Sequence, residues 1–300
     1  MKDIDSIEDE TVEEIIEKYV RAGAIVSKIR ERTAKRVKIG ESLLEVAREI
    51  EEEMIGAGCK PAFPTNISRN EEAAHATPTK DDTRVFGEDI VKIDLGTQID
   101  GYIADTAITI DLAGRSDLVK ASEDALDNAI KNLHAGINTK EIAAIIEETI
   151  TEYGYKPIAN LTGHGLARYN QHAPPTIPNV KVEHGTILEE GEIVAIEPFA
   201  TDGAGRVVEG HTREIYRLIE EKPIRHPIAR KLLTQLREYR TLPFAKRWLA
   251  GEHIDFALHQ LEKAQIIMGY PVLKDAGGGL VSQAEHTVMI TENGCEVLTR

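Results

Sequence analysis

Four acidic residues stand inside or beside apolar, β-prone runs, where carboxylates are uncommon. Asp94 lies in Val91-Lys92-Ile93-Asp94-Leu95-Gly96 and Asp105 in Ile103-Ala104-Asp105-Thr106-Ala107-Ile108, with Asp100-Gly101 between them. A hairpin turning on that Asp-Gly pair puts Asp94 opposite Ala107 and Asp105 opposite Gly96. The two carboxylates then share one face as diagonal neighbours, roughly 7 to 8 Å apart. A cation can bridge that gap, whereas two uncompensated charges in a half-buried sheet cost free energy. For the hairpin alone, two exposed Asp on a polar face is the competing reading. Glu197 and Glu285 add carboxylates at further strand positions, and Thr162-Gly163-His164-Gly165 adds an imidazole that its glycines leave open to close approach. One imidazole and four carboxylates form a hard, oxygen-rich set suited to divalent Mn, Fe, Co or Zn. Two such ions would offset the four negative charges and could acidify a shared water, so hydrolysis is the natural chemistry.

These residues need elements to carry them. Apolar residues at helical spacing predict a long amphipathic helix from Thr11 to about Val37. A second helix is expected after Ser42, with Ser42 and Glu45 as a capping box and Gly56 and Gly58 as stops. The stretch Gly40 to Pro61 then recurs as Gly136 to Pro157, and His75-Ala76-Thr77-Pro78-Thr79 recurs as His172-Ala173-Pro174-Pro175-Thr176. Ile90-Val91-Lys92-Ile93-Asp94 likewise recurs as Ile193-Val194-Ala195-Ile196-Glu197. Two histidines thus occupy matching loops and two carboxylates matching strands. The economical architecture is two halves about a pseudo-twofold axis, each a helix pair with antiparallel strands, and a shared site between them. Residues 228–239, 244–249 and 254–264 read as short helices without a partner in the first half. They form an inserted segment over 220–271, with nine Lys plus Arg against six Asp plus Glu. A winged-helix-like nucleic-acid module is conceivable there, but the local charge is weak and packing is the simpler reading. The insertion bears no candidate ligand, so it is expected to shape one wall of the entrance, with Lys246 and Arg247 dispensable for turnover of short peptides. The last segment alternates through Gln283, Glu285, Thr287 and Met289 as one strand.

Bulk properties narrow the class. The chain has 300 residues, enough for one large domain or two, and a net charge of −15, which argues against coating nucleic acid or an anionic membrane. Its two cysteines, Cys59 and Cys295, exclude a disulfide framework. The first thirty residues are acidic and lack an apolar signal-like core, and no run approaches a membrane span. A reducing cytoplasm is the simplest location.

Taken together, Phe63-Pro64-Thr65-Asn66, His75, Ile93-Asp94-Leu95-Gly96, Ala104-Asp105-Thr106-Ala107, Gly163-His164-Gly165, His172, Ile196-Glu197-Pro198-Phe199 and Glu285-His286-Thr287 resemble the methionine aminopeptidases over nearly the whole chain. The helical insertion before the last glutamate is similar to type II members, of archaeal character. The resemblance implies an α+β pita-bread fold, an internally duplicated antiparallel sheet covered by helices. Residues 1–219 and 272–300 would be its catalytic part and 220–271 an inserted helical, winged-helix-like subdomain. It implies two divalent ions (Co, Mn, Fe or Zn) held by Asp94, Asp105, His164, Glu197 and Glu285, with Asp105 and Glu285 bridging and Glu197 also moving protons. His75 would stand near the scissile nitrogen, His172 at the carbonyl oxygen, and Phe63 would wall the methionine pocket. The substrate would be the N-terminus of a nascent polypeptide with a small second residue. Docking on the ribosome stays open, no direct nucleic-acid contact is expected, and the chain is expected to be a monomer. Ala284 departs from the family, where Phe is frequent before the last glutamate. A prolidase or Xaa-Pro aminopeptidase would share fold and ligands. A metal-free binding module would use the fold as a surface, but such a module typically lacks the ligands.

Overall fold

A computed structural model describes residues 10–300; residues 1–9, part of the acidic N-terminal stretch, lie outside the described residues. Helix α1, Val12–Arg36, starts at Thr11, which forms a capping box with Glu14. Helix α2, Leu43–Gly56, starts at Ser42, whose hydroxyl accepts from Glu45 N at 3.3 Å. The expected box is only half made there, whereas α4, Thr139–Glu152, has both bonds between Asn138 and Glu141. Between them, α3 spans Ser116–Asn132. The duplication read from sequence is physical: Gly40 N–H donates to Phe86 O and Gly136 N–H to Leu188 O, each at 2.8 Å. Short strands Lys60–Pro61 and Lys156–Pro157 follow the two repeated helices.

A nine-stranded antiparallel sheet joins the halves. Its path runs through Lys60–Pro61, Ile90–Ile99, Tyr102–Asp111, Glu285–Thr291, Ile193–Ile196, Thr162–Ala167 and Asn170–Pro178. The acidic hairpin has the expected register, Asp94 opposite Ala107 and Gly96 opposite Asp105. Asp100 and Gly101 both have positive φ, +52° and +92°, as a two-residue turn matched to the strand twist requires. Val91, Ile93 and Leu95 pack beneath Val26, Ile29, Ile50 and Met54 of α1 and α2. Strand alternation therefore turns Asp94 to the opposite face. In the second half, Val194 and Ile196 pack with Leu126 and Ile130 of α3 and Ile142 and Ile146 of α4.

Two expectations are corrected. The last strand is broken: Val281–Gln283 pairs with Phe199–Thr201, and after Ala284 the chain changes sheets and continues as Glu285–Thr291. Buried Ala284 sits in the core beneath α3 and α4, so the departure from Phe is a matter of packing. Residues 244–249 are not a helix. Phe244–Ala245 is a strand on Ile215 and Tyr216, followed by one 3₁₀ turn, Lys246–Trp248, because a six-residue segment is too short to carry a reliable period. In that turn Arg247 has a side chain that is 3% exposed and ion-paired to Glu51 of α2.

The insertion packs α5, Pro227–Leu236, against α6, Ile254–Lys263, around Leu232, Leu233, Leu236, Leu258 and Leu261. It leaves the body through Val207–Leu218 and returns through Ile267–Asp275, which pair in a four-stranded sheet that also holds Glu72–Ala74. The returning strand therefore runs unbroken across residues 271 and 272.

Candidate metal centre

Register alone assembles the acidic cluster. Asn66 pairs with Asp94, Asp94 with Ala107, and Ala107 with Glu285, which makes one row across four strands. Glu197 follows Ile196, whose partner is His286, so Glu197 lies level with Glu285. Asp105 is two residues before Ala107, and His164 pairs with Ala195, two residues before Glu197. With a period of two, all five side chains project from one face. Ligand atoms of Asp105, His164 and Glu285 lie within 4.8 Å of one another. His164 Nε2 stands 3.4 Å from Glu197 Oε1. Asp94 joins through Gln283, whose Nε2 donates to Asp94 Oδ2 at 3.3 Å and Glu285 Oε2 at 3.4 Å.

The glycines around His164 serve the backbone. A Cβ on Gly163 would lie 2.4 Å from Ala195 O, and one on Gly165 would lie 2.0 Å from Pro174 O. Only glycine lets the two neighbouring strands close on this segment and hold the imidazole in place.

Burial governs the electrostatics. It pushes the Asp94 carboxyl up to about 7, countered only by the Gln283 amide. Asp105, Glu197 and Glu285 are raised well above the ordinary carboxylate range, first by burial and then by one another and Asp94. The His164 imidazole is lowered to about 3 by burial and then by His172. Asp94 Oδ1 and Asp105 Oδ1 are buried without any hydrogen-bond partner. Carboxylate oxygens that are desolvated, mutually repelling and unpartnered are what divalent cations satisfy, so the residues fit a metal centre.

All five ligand candidates line one cavity of about 360 Å³, and Phe63, His75 and His172 line it too. His75 holds a positive φ of 64°, a strained value for a non-glycine, and its Nδ1 lies 3.2 Å from Pro271 O. Its ring meets Tyr270 edge-on at 5.2 Å. His172 is in the strand Asn170–Pro178 rather than a loop, with its ring edge-on to His164 at 4.6 Å. Burial lowers both imidazoles to about 4, with His172 adding to the effect on His75 and Arg217 to that on His172. Both are therefore neutral near pH 7.

Sequence reasoning missed several groups. Gln171 Nε2 donates to Asp105 Oδ2 at 3.4 Å, and Tyr270, Ile215 and Pro243 line the cavity. Behind the sheet, Arg30 of α1 donates to Thr106 Oγ1 at 2.6 Å and Thr299 O at 2.8 Å, and stands 3.1 Å from His286 Nδ1. Thr106 in turn donates to Glu285 O, and Thr287 Oγ1 exchanges two bonds with the Asp105 backbone. Gln283 alone left a signal, two residues before Glu285 on the expected strand.

Residues 17–292 match the model of metallopeptidase family M24. The chain is 48% identical over 290 residues to a methionine aminopeptidase of Archaeoglobus fulgidus, covering 96% of this chain and 99% of that one. It is 50% identical over 288 residues to a methionine aminopeptidase of Methanocaldococcus jannaschii, covering 95% and 98%. Among solved structures, the crystal structure of a methionine aminopeptidase from Thermotoga maritima superposes with a TM-score of 0.71 at 26% identity, covering 97% of this chain and 98% of that one. A prolidase from Pyrococcus furiosus shares the fold at a TM-score of 0.63 and 23% identity, covering 96% of this chain and 64% of that one.

Proposed function

The chain belongs to metallopeptidase family M24 and within it to the methionine aminopeptidases, and on that premise we propose that it removes the initiator methionine from nascent polypeptides whose second residue is small. The observation that carries the reading is the set of five ligand-type side chains on one sheet face, with unpartnered buried oxygens, at the floor of a cavity that also contains Phe63, His75 and His172. The use of divalent metal follows from the family and from the cluster. That two ions bind, as Co, Mn, Fe or Zn, is part of the proposal, and Asp94, Asp105, His164, Glu197 and Glu285 would hold them. Bound metal would supply a water acidic enough to ionise near neutral pH and a Lewis acid for the carbonyl.

The chain's own groups do the rest. Glu197 takes the proton of the attacking water at its carboxylate and hands it to the leaving nitrogen, a role open to a carboxylate that lines the cavity. His172, neutral, donates to the carbonyl oxygen as charge grows there. His75 stands beside the scissile nitrogen. Phe63, with Tyr270 and Ile215, lines the cavity that would take the methionine side chain. Residues 1–219 and 272–300 form the catalytic part in this reading, and 220–271 contributes Pro243 and Tyr270 to the cavity wall. No described helix is long and apolar enough to cross a membrane. A cytoplasmic monomer that meets chains as they leave the ribosome fits the proposal.

The test is release of free methionine from Met-Ala-Ser and Met-Lys-Ser by the Mn-loaded protein, with Xaa-Pro peptides as contrast. Release from Met-Ala-Ser alone is the expected result. Preferential cleavage of Xaa-Pro peptides would overturn it in favour of a prolidase.

A further inference from the structure

The pair that removes Arg247 from the surface also ties four segments together. Glu51 of α2 has a side chain 8% exposed. Its Oε1 accepts from Thr65 N at 3.1 Å and pairs with Arg247 Nη2, while Oε2 accepts from Trp248 Nε1 at 2.8 Å. Arg247 Nη1 donates to Thr77 Oγ1 at 2.6 Å and to Pro78 O at 3.2 Å, and Thr77 Oγ1 donates to Thr65 O at 2.7 Å. Thr65 is two residues from Phe63, and Thr77 is two residues from His75. One carboxylate and one guanidinium therefore hold the insertion, α2 and both cavity-lining stretches in a single buried network.

Stability alone is a poor account of this pair. Burial works against both charges, raising the Glu51 carboxyl and lowering the Arg247 guanidinium, and mutual attraction opposes it in each case. Buried pairs of this kind add little net stability over apolar side chains of the same volume, but they fix geometry. The repeat supplies an internal control. Glu147, the counterpart of Glu51, is half-buried and accepts from Lys181 N, with no arginine among its described partners. The arginine fork occurs in the half where the insertion meets the cavity. His75 also holds its positive φ only two residues from the network, and a strained backbone persists where its surroundings over-determine it.

Resting on the aminopeptidase reading above, we propose that Glu51 and Arg247 are positioning residues for substrate selection: through Thr65 and Thr77 they let the inserted segment set the placement of Phe63 and His75. The fork holds both loops in one register, and without it the methionine side chain meets a looser wall. The metal ligands stand on other strands and are untouched.

The test uses the full chain with Arg247→Lys, Thr77→Val and the paired Glu51→Met/Arg247→Met, which removes both charges while keeping the site filled. Measurements are kcat and KM on Met-Ala-Ser and norleucine-Ala-Ser, the Mn dissociation constant by calorimetry, and Tm. In the paired variant we expect KM for Met-Ala-Ser to rise about tenfold, as modest misplacement of substrate-positioning groups does, and the preference for methionine over norleucine to narrow. Mn affinity should not change. Thr77→Val, which loses only the link to the His75 stretch, should show a smaller shift in the same direction, and Arg247→Lys should fall between it and the unmodified protein. Unaltered KM and selectivity in a folded, Mn-binding paired variant would overturn the proposal, and if that variant does not fold, the same result in Thr77→Val would overturn it. An unmodified protein that releases no methionine overturns the underlying aminopeptidase reading instead, and the first assay in the series reveals it.

Discussion

Replacing Gln283 with Met is expected to weaken divalent-metal binding about tenfold without disturbing the sheet. The Gln283 side chain is buried at 1% exposure, and its amide supplies the described hydrogen bonds to the side chains of Asp94 and Glu285. Its backbone is fixed separately, with N–H donating to Thr109 Oγ1 at 2.8 Å and its carbonyl accepting from the same hydroxyl at 2.6 Å. Met keeps the length and removes the donors. Hydrogen bonds to charged groups contribute roughly 1.5 to 3 kcal/mol each when well formed. These two, at 3.3 and 3.4 Å, are longer than the usual charge-assisted bond, so the pair falls toward the low end. Groups that orient metal ligands typically account for 10- to 100-fold in affinity, and the lower bound corresponds to about 1.4 kcal/mol. The assay is calorimetric titration of metal-free protein with Mn, alongside Tm to establish folding. A folded Gln283→Met protein with unchanged Mn affinity would show that the sheet alone positions Asp94 and Glu285, and the reasoning would fail.

Other expectations follow from the same geometry. In the metal-free fold the raised carboxyls hold protons that an unfolded chain would release; this stability is present below the ordinary carboxylate range and lost as pH rises through about 7, the value for Asp94. Metal displaces those protons, so the Tm gain from saturating Mn should be larger at pH 8 than at pH 6, and equal gains would contradict proton release. His172→Ala should lower kcat on Met-Ala-Ser by roughly 10² to 10³ with little change in KM. Unmodified turnover in a folded, metal-loaded variant would remove His172 from the chemistry. Asp275 is pulled down in pKa although burial opposes it, because its carboxylate accepts from the amides of Ala204, Gly277, Gly279 and Gly205. Asp275→Asn should cost about 2 to 4 kcal/mol in urea unfolding at pH 7. The loss should shrink as pH falls through the carboxylate range, and a loss under about 0.5 kcal/mol would be inconsistent with the role assigned to this side chain.

The acidic hairpin was legible because its information is local. A two-residue Asp-Gly turn sets the register, and the register sets the face of every side chain, so the diagonal relation of Asp94 and Asp105 needed no tertiary knowledge. Helices α1 and α2 were legible for a similar reason, since caps and apolar period are written within one segment. The repeat extended this reach by relating His75 to His172 and Asp94 to Glu197 across about a hundred residues. Other features depended on which strands meet. The row Asp94, Ala107, Glu285 exists because Tyr102–Asp111 pairs with a strand some 180 residues later, and local pattern does not encode that choice. The break at Ala284 was hidden because a chain that changes sheets keeps its alternation on both sides. Gln171 and Arg30 carried no spacing signal, as an amide or guanidinium acquires its role only from the carboxylate or hydroxyl that folding places beside it. The burial of Arg247 was not legible, because it depends on Glu51, which only the docking of the insertion on α2 brings within reach.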